Sequence, residues 1–256
     1  MTLSRKLLLV YRLLRIAQHL LAGLLRTALL FPHLGPVRRT AQIRRWSRQV
    51  LAICGITVQA VGGADGKPSQ PVPGQVMVVA NHVSWLDIFV IDALHPCRFV
   101  AKAEIRAWPV LGWLAALAGT IFIARGERRD LRRLFEGLVD KLAAGERIAF
   151  FPEGTTAAQG QLLPFHANLF EAAIDAGVPV QPMALRYVDQ GGGLHPAVDF
   201  IGDMTFAQSL VAILSGPPVV ARLVCAAPLA TAGQHRRDVA LAAHAAVAAA
   251  LGISVA

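Results

Sequence analysis

Apolar and polar positions follow two different rhythms along this chain, and the change of rhythm divides it. Over residues 3–31, leucine and alanine run nearly unbroken, interrupted by Arg5, Arg12, Arg15, His19 and Arg26. At about 100° per residue these five share one stripe, which predicts an amphipathic helix with a cationic edge. Phe31-Pro32-His33-Leu34-Gly35-Pro36 breaks it. A second amphipathic helix follows, with Ile43, Trp46, Val50 and Ile53 on one face and Arg38, Arg44, Arg45 and Arg48 elsewhere. The turn-rich stretch Val61–Pro68 then marks a boundary. A helical segment over 1–62 and a second domain over 63–256 are predicted.

Beyond the boundary the pattern alternates between short apolar runs and helical spacing. Gln75–Ala80, Cys97–Ala101, Thr120–Ala124, Arg147–Phe151, Val180–Leu185 and Val219–Val224 read as strands. Asp130–Ala144 places Leu131, Leu134, Phe135, Leu138 and Leu142 at helical spacing, and Ala167–Ala176 and Arg236–Leu251 read as further helices. The fold class is α/β, a mostly buried sheet wrapped by helices. Two prolines in Val178-Pro179-Val180-Gln181-Pro182 suggest that their strand is an edge or carries a bulge.

Charge sharpens the division. Residues 1–53 hold ten Lys/Arg and no acid, while the remainder is close to neutral. A basic end meets nucleic acid or an anionic membrane. Leu7-Leu8-Leu9-Val10 and Leu20-Leu21-Ala22-Gly23-Leu24-Leu25 are lipid-like, which excludes the polar arm of a nucleic-acid binder. The first two helices therefore read as a membrane-docking pair, with cations toward headgroups and leucines in the acyl region. A single span by the first helix is the rival reading. The expected location is the cytoplasmic face of the inner membrane, monotopic or peripheral. Cys54, Cys97 and Cys225 have no metal or CxxC spacing, and no metal is expected.

The chemistry concentrates at Asn81-His82-Val83-Ser84-Trp85-Leu86-Asp87, between an apolar strand and the apolar run Ile88-Phe89-Val90-Ile91. An imidazole is the side chain suited to accept a proton near neutral pH, and a carboxylate can fix its tautomer and stabilise the imidazolium, as a general base requires. Positions i and i+5 of one helix are about 140° apart, so His82 must sit in the turn and Asp87 in the first helical turn. Ser84-Trp85-Leu86-Asp87 also fits a capping pattern, in which Asp87 serves the helix alone. Two other strand ends carry polar groups: Arg125 closes Gly119–Ala124, and Glu153-Gly154-Thr155-Thr156 follows Phe151-Pro152. An Arg fork suits phosphate, and Gly154 permits close backbone approach.

These blocks, in this order, resemble the glycerolipid acyltransferase family, typified by bacterial 1-acylglycerol-3-phosphate acyltransferases. Asn81, His82 and Asp87 match its NHxxxxD block; Gly119, Phe122, Ile123 and Arg125 the second; Phe151 to Thr155 the FPEGT block; and Val178, Pro179, Val180 and Pro182 the fourth. The resemblance spans roughly residues 75–190. It implies that His82, oriented by Asp87, activates the hydroxyl of a lysolipid to attack an acyl thioester of acyl-carrier protein or coenzyme A. That thioester would be a co-substrate, and no cofactor is implied. Asn81, Arg125, Glu153, Gly154 and Thr155 would hold the acceptor, and residues 108–118 would line an acyl groove or form a core helix.

The chain departs from the family after FPEGT. The family's Arg and Ser are Thr156 and Ala157 here, and the downstream basic residue and Gly give way to His166 and Ala167. Either Arg125 or His166 takes over the grip on phosphate, or the acceptor is another lysolipid, such as lyso-ornithine lipid.

Overall fold

The computed structural model describes residues 2–62, 74–108, 110–123 and 128–254, with residues 128–134 described by their backbone alone. A seven-stranded sheet carries helices on both faces. Its strands are β1 (Ile56–Val61), β2 (Val76–Ala80), β3 (Arg98–Lys102), β4 (Ile121–Ile123), β5 (Arg147–Phe150), β6 (Val180–Val188) and β7 (Val219–Cys225). Their order is β1-β7-β6-β2-β5-β3-β4, parallel throughout except between β6 and β7.

The helices are α1 (Leu3–Leu29), α2 (Pro36–Ile53), α3 (Asp87–Leu94), α4 (Leu111–Leu117), α5 (Arg128–Ala143), α6 (Phe170–Asp175), α7 (Phe206–Ser215) and α8 (Arg236–Leu251). All five residues of β2 are buried. Successive side chains of a strand point to opposite faces, so Val76, Val78 and Ala80 join the core made with α2, α3 and α7, whereas Met77 and Val79 join that of α5, α6 and α8. A strand covered on both sides has no reason to alternate in polarity, which is why this one reads as a continuous apolar run.

The two prolines do not mark an edge. β6 lies between β7 and β2, near the middle of the sheet. Pro182 accepts from the Ala226 N–H at 2.9 Å, so its missing donor faces the β7 side, just past the first paired residues, Met183 and Cys225. The lost hydrogen bond falls where that ladder ends.

The N-terminal segment joins the domain more closely than the expected boundary at residue 62 implies. β1 pairs with β7 along its whole length, and Val50 and Leu51 of α2 are buried in the core shared with β2. The cationic stripe of α1 also departs from expectation. Arg12 donates to the carbonyl oxygen of Leu214 at 2.9 Å, capping α7, and His19 stacks on Trp46 of α2 at 5.0 Å. Part of the stripe thus faces the protein, because unsatisfied carbonyls at a helix C-terminus attract a guanidinium. Leu7, Val10, Leu14, Leu21 and Leu25 are left exposed on the outer side.

Candidate active site

β2 ends at Ala80, and the next six residues form a turn that delivers Asp87 to the first position of α3. The predicted fold-back occurs. His82 Nδ1 lies 2.8 Å from Asp87 Oδ2. The same oxygen accepts from the N–H groups of Val83 at 2.7 Å and Ser84 at 2.9 Å. Asp87 therefore organises the turn and orients the histidine together, through one oxygen. The Ser84 hydroxyl makes no cap bond at α3.

Asp87 is wholly buried, and a buried carboxylate needs compensating donors. Its Oδ1 accepts from the Tyr187 hydroxyl at 2.6 Å, so four donors meet the group. Burial, with Asp87 alongside, holds the Tyr187 phenol well above its usual range, which keeps it a donor. Because Oδ2 is an acceptor toward two backbone groups, His82 Nδ1 carries the proton, and Nε2 presents its lone pair. The ring is 20% exposed and stacks on Phe151 at a centroid distance of 3.9 Å. The Asp87 carboxylate and the Phe151 ring fix the imidazole in tautomer and in plane.

The segment after β5 wraps the backbone of the histidine. Glu153 is buried, and its carboxylate accepts from the N–H of His82 at 2.7 Å and of Leu163 at 2.8 Å. Burial raises its pKa, and those two N–H groups act in the opposite direction. Ala157 donates to the His82 carbonyl at 2.8 Å. Gly154, at φ 70°, turns the chain between these contacts, and a side chain there would press on His166. Gly154 and Thr155 are exposed. Asn81 is buried and bridges strands: its amide donates to the Leu185 carbonyl at 3.0 Å and accepts from the Leu185 N–H at 2.7 Å.

The residues named from the sequence are thus brought together, with a division among them. His82 is partly exposed and Gly154 and Thr155 are exposed, whereas Asn81 and Glu153 bind backbone groups of the protein. Arg125 lies outside the described residues. Thr156 donates its hydroxyl to the Phe200 carbonyl, and Phe200 in turn donates its N–H to the Val83 carbonyl at 3.0 Å. Tyr187 was not legible in the sequence. It sits 100 residues from Asp87, and an aromatic in an apolar strand is an ordinary core residue.

A protein-family model described as Acyltransferase matches residues 64–186. A 1-acyl-sn-glycerol-3-phosphate acyltransferase of Neisseria meningitidis is 44% identical over 157 residues, 61% of this chain and 60% of that one. The chain thus spans less than two thirds of that relative. A lyso-ornithine lipid O-acyltransferase of Pseudomonas aeruginosa is 39% identical over 208 residues, 81% of this chain and 77% of that one. The crystal structure of the 1-acyl-sn-glycerophosphate acyltransferase of Thermotoga maritima superposes with a TM-score of 0.71, covering 97% of this chain and 95% of that one at 21% identity, a likeness of fold. With a buried carboxylate behind a partly exposed histidine, and relatives of this extent, the chain belongs to the glycerolipid acyltransferase family.

Proposed function

We propose that the protein is a membrane-associated O-acyltransferase that moves a fatty acyl group from acyl-carrier protein or acyl-CoA to the free hydroxyl of 1-acylglycerol-3-phosphate, giving phosphatidic acid. The observation that carries this reading is the His82 imidazole, held at Nδ1 by buried Asp87. Nε2 takes the acceptor's hydroxyl proton as its oxygen forms the ester bond to the thioester carbon. The C–S bond then breaks, and the imidazolium returns the proton to the departing thiolate. A positioned general base contributes about 10²–10⁴ in rate. Direct transfer needs neither a covalent acyl-enzyme nor a cofactor.

The rest of the molecule supports a lipid substrate. α1 is long and apolar enough to cross a membrane by length and composition. Its packing on α7 and α2 favours lying in the interface with its leucines in the acyl layer. On the cytoplasmic face of the inner membrane it would meet both thioester donors. From the catalytic turn, Trp85 contacts Phe206 at 5.0 Å, and Phe206 contacts Trp108 at 6.1 Å. Trp108 and Trp113 are exposed, so this aromatic row suits the acyl chain proposed to pass residues 108–118.

A second acceptor has its own support. At the position of the family's Arg, Thr156 has its hydroxyl engaged with Phe200, and a Thr cannot grip phosphate as a guanidinium does. The lyso-ornithine lipid relative matches over a larger share of the chain. Lyso-ornithine lipid, attacked through its hydroxyl by the same chemistry, is therefore the alternative. The test is acyl transfer by the purified protein to each lysolipid, with both thioester donors and with His82→Ala as the blank. Transfer to lysophosphatidate above the blank is expected. Transfer to lyso-ornithine lipid alone moves the assignment, transfer to neither lysolipid overturns the reaction reading, and transfer retained in full by His82→Ala removes His82 from the chemistry.

A further inference from the structure

Tyr187 belongs to none of the sequence blocks that mark the site, yet its hydroxyl ends on the catalytic carboxylate. It lies in β6, wholly buried, and donates to Asp87 Oδ1 at 2.6 Å. Among the described residues it and His82 are the two side chains bonded to that carboxylate. The backbone groups of Val83 and Ser84 occupy Oδ2 only. Without the phenol, Oδ1 would be a buried acceptor with no partner among the described residues.

We infer that Tyr187 is a positioning residue for the general base, acting through Asp87. The inference rests on the reading of His82 as that base. Holding Oδ1 fixes the carboxylate plane, so that Oδ2 stays directed at His82 Nδ1. Donation to Oδ1 also draws negative charge from Oδ2, which limits how tightly the imidazole holds its proton. A base bound too tightly to its proton returns it slowly to the leaving group.

The surroundings hold the phenol in place. The Tyr187 N–H donates to Gln159 Oε1 at 2.7 Å, and the Tyr187 carbonyl accepts from the His195 N–H at 3.0 Å. Gln159 Nε2 donates to the His195 carbonyl at 3.1 Å, closing the ring of bonds. The titratable groups facing the pair from other elements are Glu153 after β5, Asp199 ahead of α7, and the Cys54 thiol after α2. None of the three donates to Asp87, so among the described residues the phenol has no substitute. A buried tyrosine commonly finds a partner for its hydroxyl merely to satisfy it. That simpler role predicts a change in stability and no change in His82.

The experiment follows the His82 imidazole by NMR as pH is varied, in the full chain and in Tyr187→Phe, which keeps the ring in the core. The pH midpoint of the His82 signal is expected to rise in the variant, since charge returns to Oδ2. In the Asp87→Asn background the same substitution is expected to add nothing. The kcat is expected to fall roughly tenfold, with KM for both substrates within about twofold. An unmoved midpoint in folded Tyr187→Phe overturns the inference, whatever the acceptor proves to be. If the wild type acylates neither lysolipid, the reaction reading fails, while a moved midpoint still supports the linkage from Tyr187 to His82. Should Tyr187→Phe not fold, 3-fluorotyrosine at position 187 is the stronger donor, and the midpoint is expected to fall.

Discussion

At the scale of single residues, the two buried carboxylates of α3 differ in how many donors meet them. Asp87 has four, whereas Asp92, also buried in α3, accepts from the Cys97 N–H at 3.0 Å and has its pKa pushed up to about 8 by burial. Asp92 is thus neutral in the folded protein over a range where the unfolded chain ionises it. A raised folded pKa means that its contribution to stability is fully present below the unfolded value, about 3.9. That contribution declines as pH rises through about 8. Asp92→Asn keeps the acceptor for Cys97 and removes the titration. Thermal unfolding between pH 5 and pH 9 should show a loss of Tm in the wild type and a clearly smaller loss in the variant. For a chain of this size each kcal/mol is roughly 2–4 °C. Equal slopes would mean that Asp92 is ionised in the fold. The sequence showed the His82–Asp87 pair because motif and spacing coincide there. It could not show that Asn81 and Glu153 bind backbone, since that depends on how β6 and the loop after β5 approach β2.

At the scale of elements, legibility followed the source of the signal. β2 and α8 announce themselves by long apolar runs or a long alanine-rich helix, and both appear within a residue of expectation. β1 was passed over, although Ile56-Thr57-Val58-Gln59-Ala60-Val61 alternates, because a helix ends and a turn-rich stretch begins within a few residues of it. α7 was missed too, and there a usable signal existed. Thr205 and Gln208 form a capping box, with the Gln208 N–H donating to Thr205 Oγ1 at 3.3 Å. For α1 the period gave the helix, but not which side faces the protein, because the arginines on its border suit headgroups and carbonyls alike. The structure turns Leu14 and Leu21 outward, at 66% and 58% exposure. Leu14→Asn with Leu21→Asn should therefore leave Tm unchanged and lower sedimentation with vesicles containing anionic lipid. The loss should be several-fold, since removing a buried leucine from an apolar phase costs about 1.5–3 kcal/mol. Unchanged sedimentation would place the lipid contact elsewhere.

At the scale of the whole molecule, the question is where the N-terminal helical segment ends and the acyltransferase-family domain begins. The charge boundary drawn from composition falls after residue 53, and the turn-rich boundary falls near residue 62. The packing boundary falls earlier. α1 rests on the outside, with Gly23 its one buried residue, although Arg12 caps α7 and packs against Gly55. α2 is part of the core through Val50 and Leu51, and Arg48 donates to the Ala93 carbonyl at 2.8 Å near the end of α3. Because α3 begins with Asp87, loss of α2 would unseat the helix that carries the carboxylate bonded to His82. Two deletions separate the boundaries. A chain starting at Pro36 should fold, melt some degrees lower for want of the Arg12 cap, and sediment less with vesicles. A chain starting at Cys54 should fail to fold, because removing two buried aliphatic side chains alone costs roughly 2–5 kcal/mol for each larger one. Circular dichroism and thermal unfolding of both proteins decide the matter. If the shorter chain melts cooperatively at the temperature of the longer, α2 belongs to the docking segment and the enzyme begins at the sheet. If it does not fold, α2 and the His82–Asp87 turn share one core, and α1 alone is the appendage proposed to meet the membrane.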